Sequence, residues 1–333
     1  MNLTGKRILV TGGTGLIGRE LVELLIPKNP LSIRVVSLDD KSRAHPNVEF
    51  HRIDLRDTRE CKRAVANIDV VFHLMGIKGS PKVSKERPSD FFVSVIQCNT
   101  NMMDAAFREN VQWYLYTSSV GVYYPADMMK ETDVWKTMPS ENDWYPGWAK
   151  RVGELQAETY RIQYGWKNWS IVRPANVYGR YDNYDASNAM VIPSIIRRIV
   201  DGENPLVVWG DGTSIRDFIY AKDCAAGMIH AVEKEINEPI NLGSGTGITI
   251  RQFVDTIVEI SDEKPSVVWD VTKPSGDKKR VLDVSTAASY GFSARTSFRD
   301  GLEETYRFYK NNKELVSRRY NIFNETEAIC SPK

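Results

Sequence analysis

The sequence predicts an α/β fold, a doubly wound parallel sheet with helices on both faces, followed by a smaller α/β lobe for a substrate. Three observations predict it. Short, nearly all-apolar runs of strand length alternate with longer amphipathic stretches through the first half of the chain. A glycine-rich turn joins the first of these runs to the first helical stretch. Beyond Arg173 glycine and proline become denser and the runs shorten.

The elements follow in order. Arg7–Thr11 (RILVT) is the first strand, and it breaks at Gly12-Gly13. Leu16, Ile17, Leu21, Leu24 and Leu25 then recur at helical spacing until Pro27 stops them. Strand patterns follow at 33–38, 48–53, 69–74, 111–117 and 171–173, with helices at about 57–67, 90–109 and 146–164. This alternation is Rossmann-type, and such sheets take their ligands at the carboxyl ends of the strands, where the strand order reverses. Later strands are read at 206–209, 239–242 and 266–269, and later helices near 191–201, 222–234, 249–261 and 298–311. Residues 1–175 read as the dinucleotide-binding domain and 176–312 as the second lobe, with some interleaving of elements. Residues 313–333 read as a polar, mobile tail from which Tyr320, Ile322 or Phe323 docks.

Composition removes several function classes. With 44 basic and 43 acidic residues the net charge is +1, so the clustered positive excess of a nucleic-acid or membrane-surface binder is missing. The four cysteines, Cys61, Cys98, Cys224 and Cys330, are widely spaced, and the four histidines form no metal-ligand spacing. No metal is expected, and a reducing cytoplasm is the expected setting. No apolar run approaches the roughly 20 residues of a membrane span. The start runs directly into Lys6-Arg7 and a strand, so no signal peptide is expected.

The glycine turn carries the first functional signal. Thr11-Gly-Gly-Thr-Gly-Leu-Ile-Gly18 sets Gly12, Gly15 and Gly18 between a strand and a helix, where backbone N–H groups can approach a pyrophosphate. Asp39 falls 21 residues after Gly18, at the end of the second strand. An acid there accepts from the adenosine ribose hydroxyls and repels a 2′-phosphate, which favours NAD over NADP. The alternative is that Asp39 or Asp40 only opens a solvated loop. Asp54, after the third strand, can accept from an adenine amino group or cap the helix that begins near Asp57.

These residues resemble the extended short-chain dehydrogenase/reductase family. TGGTGLIG, the DLRD after the third strand, FHLMG at 72–76, TSSVGVY at 117–123, RPANVYG at 173–179, WGDGTSIRDFIYAKD at 209–223 and INLGSG at 240–245 follow its pattern over about 6–310. The second half is most similar to the GDP-fucose synthase branch, through stretches at 182–198, 207–218 and 273–284. The resemblance implies an NAD-dependent oxidoreductase acting on a nucleotide-linked sugar, with a GDP-sugar the expected substrate, in a homodimer or higher homo-oligomer. It places the cofactor against Gly12, Thr14, Gly15, Leu16, Ile17, Gly18, Asp39, Asp54, Leu55, Leu74, Met75, Gly76, Thr117, Lys150, Pro174, Asn176 and Val177. Helices 90–109 and 146–164 match the pair that forms the family's dimer interface, with Phe91, Phe92, Val95, Met102, Met103 and Phe107 explained equally by core packing.

The family works through Ser or Thr, Tyr and Lys. Removing a hydroxyl proton needs a base, and a phenol that titrates near 10 becomes one only when a nearby ammonium stabilises the phenolate. Ser119 and Lys150 match the pattern, Ser119 having the alternative of satisfying local backbone. The family's Tyr position, four residues before the lysine, is Pro146, and Tyr145 lies five before it. On a continuous helix five residues turn about 500°, some 140° away from the lysine. Pro146 is a natural first helical residue with Asn142 or Asp143 upstream, which would leave Tyr145 at or before the cap, outside helical geometry. Tyr145 is the expected base. The alternatives are Tyr123, Tyr124, a water, or an inactive site.

Two further positions restrict the reaction. The branch's epimerising Cys and His fall on Gly121 and Met190, and neither residue moves protons. No acid lies beside Ser119 in Ser119-Val-Gly-Val, which disfavours dehydration. Plain oxidation or reduction at C4 is the expectation. By resemblance, Ser118, Ser119, Asn176, Met190, Val191, Ile195, Trp209 and Arg216 bind the substrate, and Lys279 or Arg280 closes over its nucleotide. Arg216 would pair with phosphate oxygens, or else with Asp217 or Asp211. Trp209 would stack on the base, or else sit in the core.

Overall fold

The computed structural model describes residues 1–77, 81–273, 275–316 and 319–320. Chain order gives β1 (Arg7–Thr11), α1 (Leu16–Leu25), β2 (Ser32–Ser37), β3 (Glu49–Arg52), α2 (Thr58–Val65), β4 (Val70–His73), α3 (Pro81–Glu86), α4 (Pro88–Arg108), β5 (Trp113–Thr117), α5 (Trp144–Tyr164) and β6 (Trp169–Pro174). There follow β7 (Asn176–Tyr178), α6 (Val191–Val200), β8 (Leu206–Trp209), β9 (Ile215–Tyr220), α7 (Ala221–Glu233), β10 (Pro239–Leu242), β11 (Gly247–Thr249) and α8 (Ile250–Ile260). The chain continues through β12 (Val267–Asp270), β13 (Lys279–Arg280), α9 (Ser285–Ser289), α10 (Phe298–Asn311) and α11 (Lys313–Val316).

Seven parallel strands form the main sheet in the order β10-β6-β5-β4-β1-β2-β3. The order reverses between β1 and β4, so a crevice opens above Thr11 and His73, which pair in register. Alternation along β1 splits the core in two. Ile8 and Val10 pack under α1 and α7 with Leu21, Leu25, Met228 and Ile229. Leu9 faces the opposite layer, where Cys61, Cys98, Met102 and Met103 of α2 and α4 meet Val71, Tyr114 and Tyr116. Burial raises the thiol pKa of Cys61, to about 12, and of Cys98 and Cys224, so all three behave as apolar side chains. Cys330 lies outside the described residues.

The second lobe has its own core, in which Ile192, Ile195, Ile196 and Ile199 of α6 pack with Phe218, Phe253, Leu302 and Tyr306. Its sheet joins β7, β9, β11 and β13, beside a two-stranded β8–β12 ribbon. Sequence patterning missed β7, β9, β11 and β13. Three of these have only two or three residues, and β9 reads IRDFIY, with charges in its first half. β10 returns to the main sheet and pairs β6, so the chain crosses between the two cores more than once. Among the described residues no helix is long and apolar enough to cross a membrane.

Candidate active site

The crevice is lined first by backbone. Gly12 adopts φ +68°, in the left-handed region, and a Cβ there would lie 3.4 Å from the Leu74 carbonyl and the Met75 nitrogen. A Cβ on Gly18 would fall 2.2 Å from the Gly12 carbonyl oxygen, so only glycine lets α1 approach β1 this closely. Gly15 is the N-cap of α1, and the first turn beginning at Leu16 and Ile17 has no acidic residue. Its N–H groups, which have no intrahelical acceptor, are a ready anion site. Gly13, not singled out from sequence, is needed as well: a Cβ there would sit 2.8 Å from both Val35 methyls. The adjacent glycine pair was the available signal.

Asp39 is not the start of a solvated loop. It is 9% exposed, and its Oδ2 accepts from Thr14 Oγ1 at 2.7 Å, while Asp40 caps the turn that follows. Its Oδ1 accepts from the Tyr320 backbone N–H at 2.7 Å, and Tyr320 packs beside Phe91. Tyr320 thus docks as expected, while Ile322 and Phe323 lie outside the described residues. Asp54 is held by Arg56, whose Nε and Nη2 donate to it at 2.9 and 2.6 Å, and Asp57 rather than Asp54 caps α2. Burial pushes the Asp54 carboxyl up, but Arg56 outweighs it and the pKa falls below the usual value. The expectation for Leu55 needs correction. Its side chain packs into the α2–α4 layer and its carbonyl accepts from Cys61 and Asn101, because the alternation after β3 points it inward.

The next wall holds the positions expected from sequence to be catalytic. Lys150, on α5, is half-buried, and its Nζ donates to the Thr117 carbonyl at 2.8 Å and reaches the Met75 carbonyl at 3.5 Å. It also lies 3.6 Å from where a Gly76 Cβ would be. Burial lowers its pKa to about 8. Behind it runs a buried chain: Thr11 Oγ1 meets His73 Nδ1, His73 Nε2 meets Asn99, Asn99 donates to the Tyr116 hydroxyl, and that hydroxyl donates to the Lys150 carbonyl. Burial, with Lys150 nearby, lowers His73 to about 3, so it is neutral. Thr11 Oγ1 also accepts from the Leu74 and Met75 N–H groups, which ties this chain to the crevice floor. The Thr117 hydroxyl is buried beside Lys150 without a partner among the described residues.

Ser119 Oγ accepts from the Gly121 N–H at 3.1 Å, which is the local backbone role, and stays at the crevice edge. Ser118 is corrected: it is 3% exposed and donates to Glu154 at 2.5 Å. That carboxylate forms a buried pair with Arg173, which draws Ser118 inward. Tyr123 is excluded as a base, because its hydroxyl is buried between Asn241 and Arg173 and burial raises its pKa. The expected geometry of Tyr145 is also corrected. The helix begins at Trp144, after the turn 141–143, so Tyr145 is its second residue rather than a cap, with Asp143 as N-cap. Its phenol is 39% exposed and has no hydrogen-bond partner among the described residues. Sequence reading gave Asp143 only as a possible cap. A Cβ at Gly121 would lie 3.5 Å from both Asp143 Cγ and Ser119 Oγ, so this carboxylate fills the space left by glycine.

The substrate end is made of charges. Arg216, on β9, donates to the Ile215 and Asp277 carbonyls at 2.8 and 2.7 Å rather than pairing with Asp217 or Asp211. Burial, then the neighbouring Arg280, lowers it to about 10. Arg280 is 8% exposed and pairs with Asp277 and with Asp143. Lys279 lies toward the exposed Asp127 at 3.6 Å. Trp209 is not a core residue; it is 59% exposed, with Lys273 over its ring. Met190 and the exposed Val191 start α6, whereas Ile195 is corrected to the lobe's core, because the apolar face of α6 turns it inward. Asn176 donates to the Asp217 carbonyl, and Pro174 ends β6 beside it, with Val177 on β7. Among the described residues no cluster of metal-ligating side chains occurs.

A dinucleotide fits this cradle. The φ of Gly12, the closeness at Gly18 and, among the described residues, an unpartnered Thr117 hydroxyl and a half-buried ammonium without a carboxylate partner are features such a group would satisfy. Comparison with known proteins agrees. The profile described as the NAD dependent epimerase/dehydratase family matches residues 8–243. GDP-L-fucose synthase 1 of Arabidopsis thaliana is 29% identical over 321 residues, 94% of this chain and 95% of its own. GDP-L-fucose synthase of Escherichia coli (strain K12) is 28% identical over 331 residues, 94% of this chain and 99% of its own. The UDP-glucose 4-epimerase of Thermotoga maritima, solved with UDP-glucose, superposes with a TM-score of 0.80 at 27% identity, over 92% of this chain and 100% of that one.

Proposed function

Because the chain belongs to the NAD dependent epimerase/dehydratase family, we propose that it is an NAD-dependent oxidoreductase acting at C4 of a GDP-linked sugar. Epimerisation and dehydration are not part of the reaction. The observation that carries this reading is Lys150, half-buried between the Thr117 and Met75 carbonyls and beside Gly76. A bound nicotinamide would supply the acceptor or donor of hydride. Gly12, Gly15 and Gly18 make room for its pyrophosphate, and Asp39 favours NAD by accepting from ribose and opposing a 2′-phosphate. Lys150 holds positive charge beside the proton-transfer step, and Ser119 orients the sugar oxygen.

Tyr145 is the proposed proton carrier, on condition that the first turn of α5 rotates it toward the cleft. Arg216, with Arg280 or Lys279, holds the diphosphate, and Trp209 offers its ring to the base. Gly121 and Met190 offer no proton-moving group, which limits the reaction to one carbon. Dimerisation through α4 and α5 would cover Val93, Leu155 and Ile162, all exposed in the single chain.

Absorbance at 340 nm tests the reading, with NAD or NADH and a panel of GDP-sugars. A GDP-sugar-dependent change is expected, and Tyr145→Phe should lower its rate by about a hundredfold. An unchanged rate in that variant removes Tyr145 from its role. The exposed Tyr145, with no hydrogen-bond partner among the described residues, favours a second reading, a protein that binds NAD and a sugar nucleotide without turnover. Binding without any absorbance change would establish it.

A further inference from the structure

The charged cluster at the substrate end joins elements far apart in the chain. Asp143 is the N-cap of α5, while Arg280 lies on β13 of the second lobe. Their ion pair therefore bridges the two cores directly over the cleft. Asp277, on the loop before β13, completes the cluster. It pairs with Arg280 and accepts from Ser140 Oγ at 2.9 Å and Asn142 Nδ2 at 2.7 Å, both just ahead of α5. Burial pushes the Asp277 carboxyl up, but Arg280, Ser140 and Asn142 together hold it below its usual value.

Two cations, Arg216 and Arg280, thus face two carboxylates, and the four formal charges cancel. The carboxylates are not equivalent. Asp277 is 10% exposed and has four partners in Arg280, Ser140, Asn142 and, through its carbonyl, Arg216. Asp143 is 28% exposed, and Arg280 is the partner of its carboxylate. A diphosphate entering beside Arg216 meets Asp143 as the weaker competitor for Arg280, and two anions do not share one guanidinium edge without repulsion.

We propose that Asp143 is a latch on Arg280, displaced when the diphosphate of a nucleotide-linked ligand binds, and that its release frees the first turn of α5. This rests on the proposed nucleoside-diphosphate site and extends it to regulation of the same site. The consequence is local. The released turn carries Trp144 and Tyr145, and the freed carboxylate lies beside Ser119 and Gly121. Tyr145, exposed on that turn, then gains the mobility to reach the reacting end of the cleft, so the diphosphate end of the ligand controls the proton-carrying end of the site.

GDP alone is the probe, without cofactor or turnover. Calorimetry on the full chain should show Asp143→Asn binding GDP about fivefold more tightly than wild type, the equivalent of one partly exposed ion pair removed from competition. Trp144 supplies the second readout, since it stacks edge-on with Trp148 at 6.0 Å. GDP should change wild-type tryptophan emission, Asp143→Asn should show the changed emission before GDP is added, and Trp144→Phe should abolish the change. Hydrogen exchange of the wild-type 141–148 segment should speed up on GDP addition, which tests the latch without any variant. Equal or weaker GDP binding by a folded Asp143→Asn protein, or exchange that is unchanged or slower, overturns the latch alone. A wild-type chain that binds neither GDP nor UDP overturns the latch and the proposed substrate class together.

Discussion

The two ends of the cleft are built from different materials. At the cofactor end the contacts come from backbone: a left-handed glycine, a helix N-terminus and two carbonyls around Lys150. At the expected substrate end they come from charged side chains carried by α5, β9 and β13, which neutralise one another. Backbone sites are rigid and already shaped for their ligand. Side-chain sites must give up internal partners first, so ligand-dependent movement is expected at the second end and not at the first.

The largest effect that can break this comparison lies in the wall between the ends. Arg173→Met leaves Glu154 buried without its partner, the two being 1% and 3% exposed as a pair, and should cost about 3–5 kcal/mol in chemical denaturation. A loss below 1 kcal/mol would mean that the wall is not rigid. His73 gives the next effect, from the cofactor side. Its folded pKa of about 3 lies below the ordinary 6.5, so the unfolded chain binds the proton more tightly. Stability from this group is full above about pH 6.5 and is lost as pH falls toward 3, by on the order of 4 kcal/mol. His73→Asn should flatten that part of the denaturation-versus-pH curve, and equal slopes would contradict neutral burial.

Two substitutions then separate the ends by ligand. Gly18→Ala forces a Cβ into the Gly12 carbonyl and should cost about 1–3 kcal/mol of stability, with at least tenfold weaker NAD binding and unaltered GDP binding. Arg216→Met should do the reverse, weakening GDP by about tenfold and leaving NAD alone. Calorimetry with each ligand checks both, and a crossed result would dissolve the division. The smallest effect is at Trp209, whose exposed ring is expected to contribute about 1 kcal/mol to the nucleotide, so Trp209→Ala should weaken GDP about fivefold.

The cofactor end was legible in the sequence because its chemistry depends on spacing along one short segment. Gly12, Gly15, Gly18 and Asp39 could be placed from the strand–turn–helix pattern, and Lys150 followed from its match to a family motif. Where side chains decide, the reading failed in particular ways. Ser118 is drawn inward by the Glu154–Arg173 pair, Ile195 lies on the apolar face of α6, and Leu55 turns under α2 and α4. Asp143 read only as a possible cap, because its place beside Ser119 and Arg280 depends on two segments more than a hundred residues apart. Tyr145 was placed outside the helix on the strength of Pro146, yet a proline at the third helical position is tolerated and the helix starts two residues earlier. The short strands of the second lobe were missed because two or three residues carry no usable periodicity.

The proposed reaction is hydride exchange at one carbon of a nucleotide-linked sugar. It is tested most directly by running the reduction of a GDP-4-keto-sugar with NADH in deuterium oxide and locating the hydrogens in the product by NMR. The account predicts one carbon-bound protium at C4, taken from the cofactor, with no deuterium at C3 or C5 and no product from Lys150→Met. Deuterium at C3 or C5, or a C4 hydrogen taken from solvent, would contradict it.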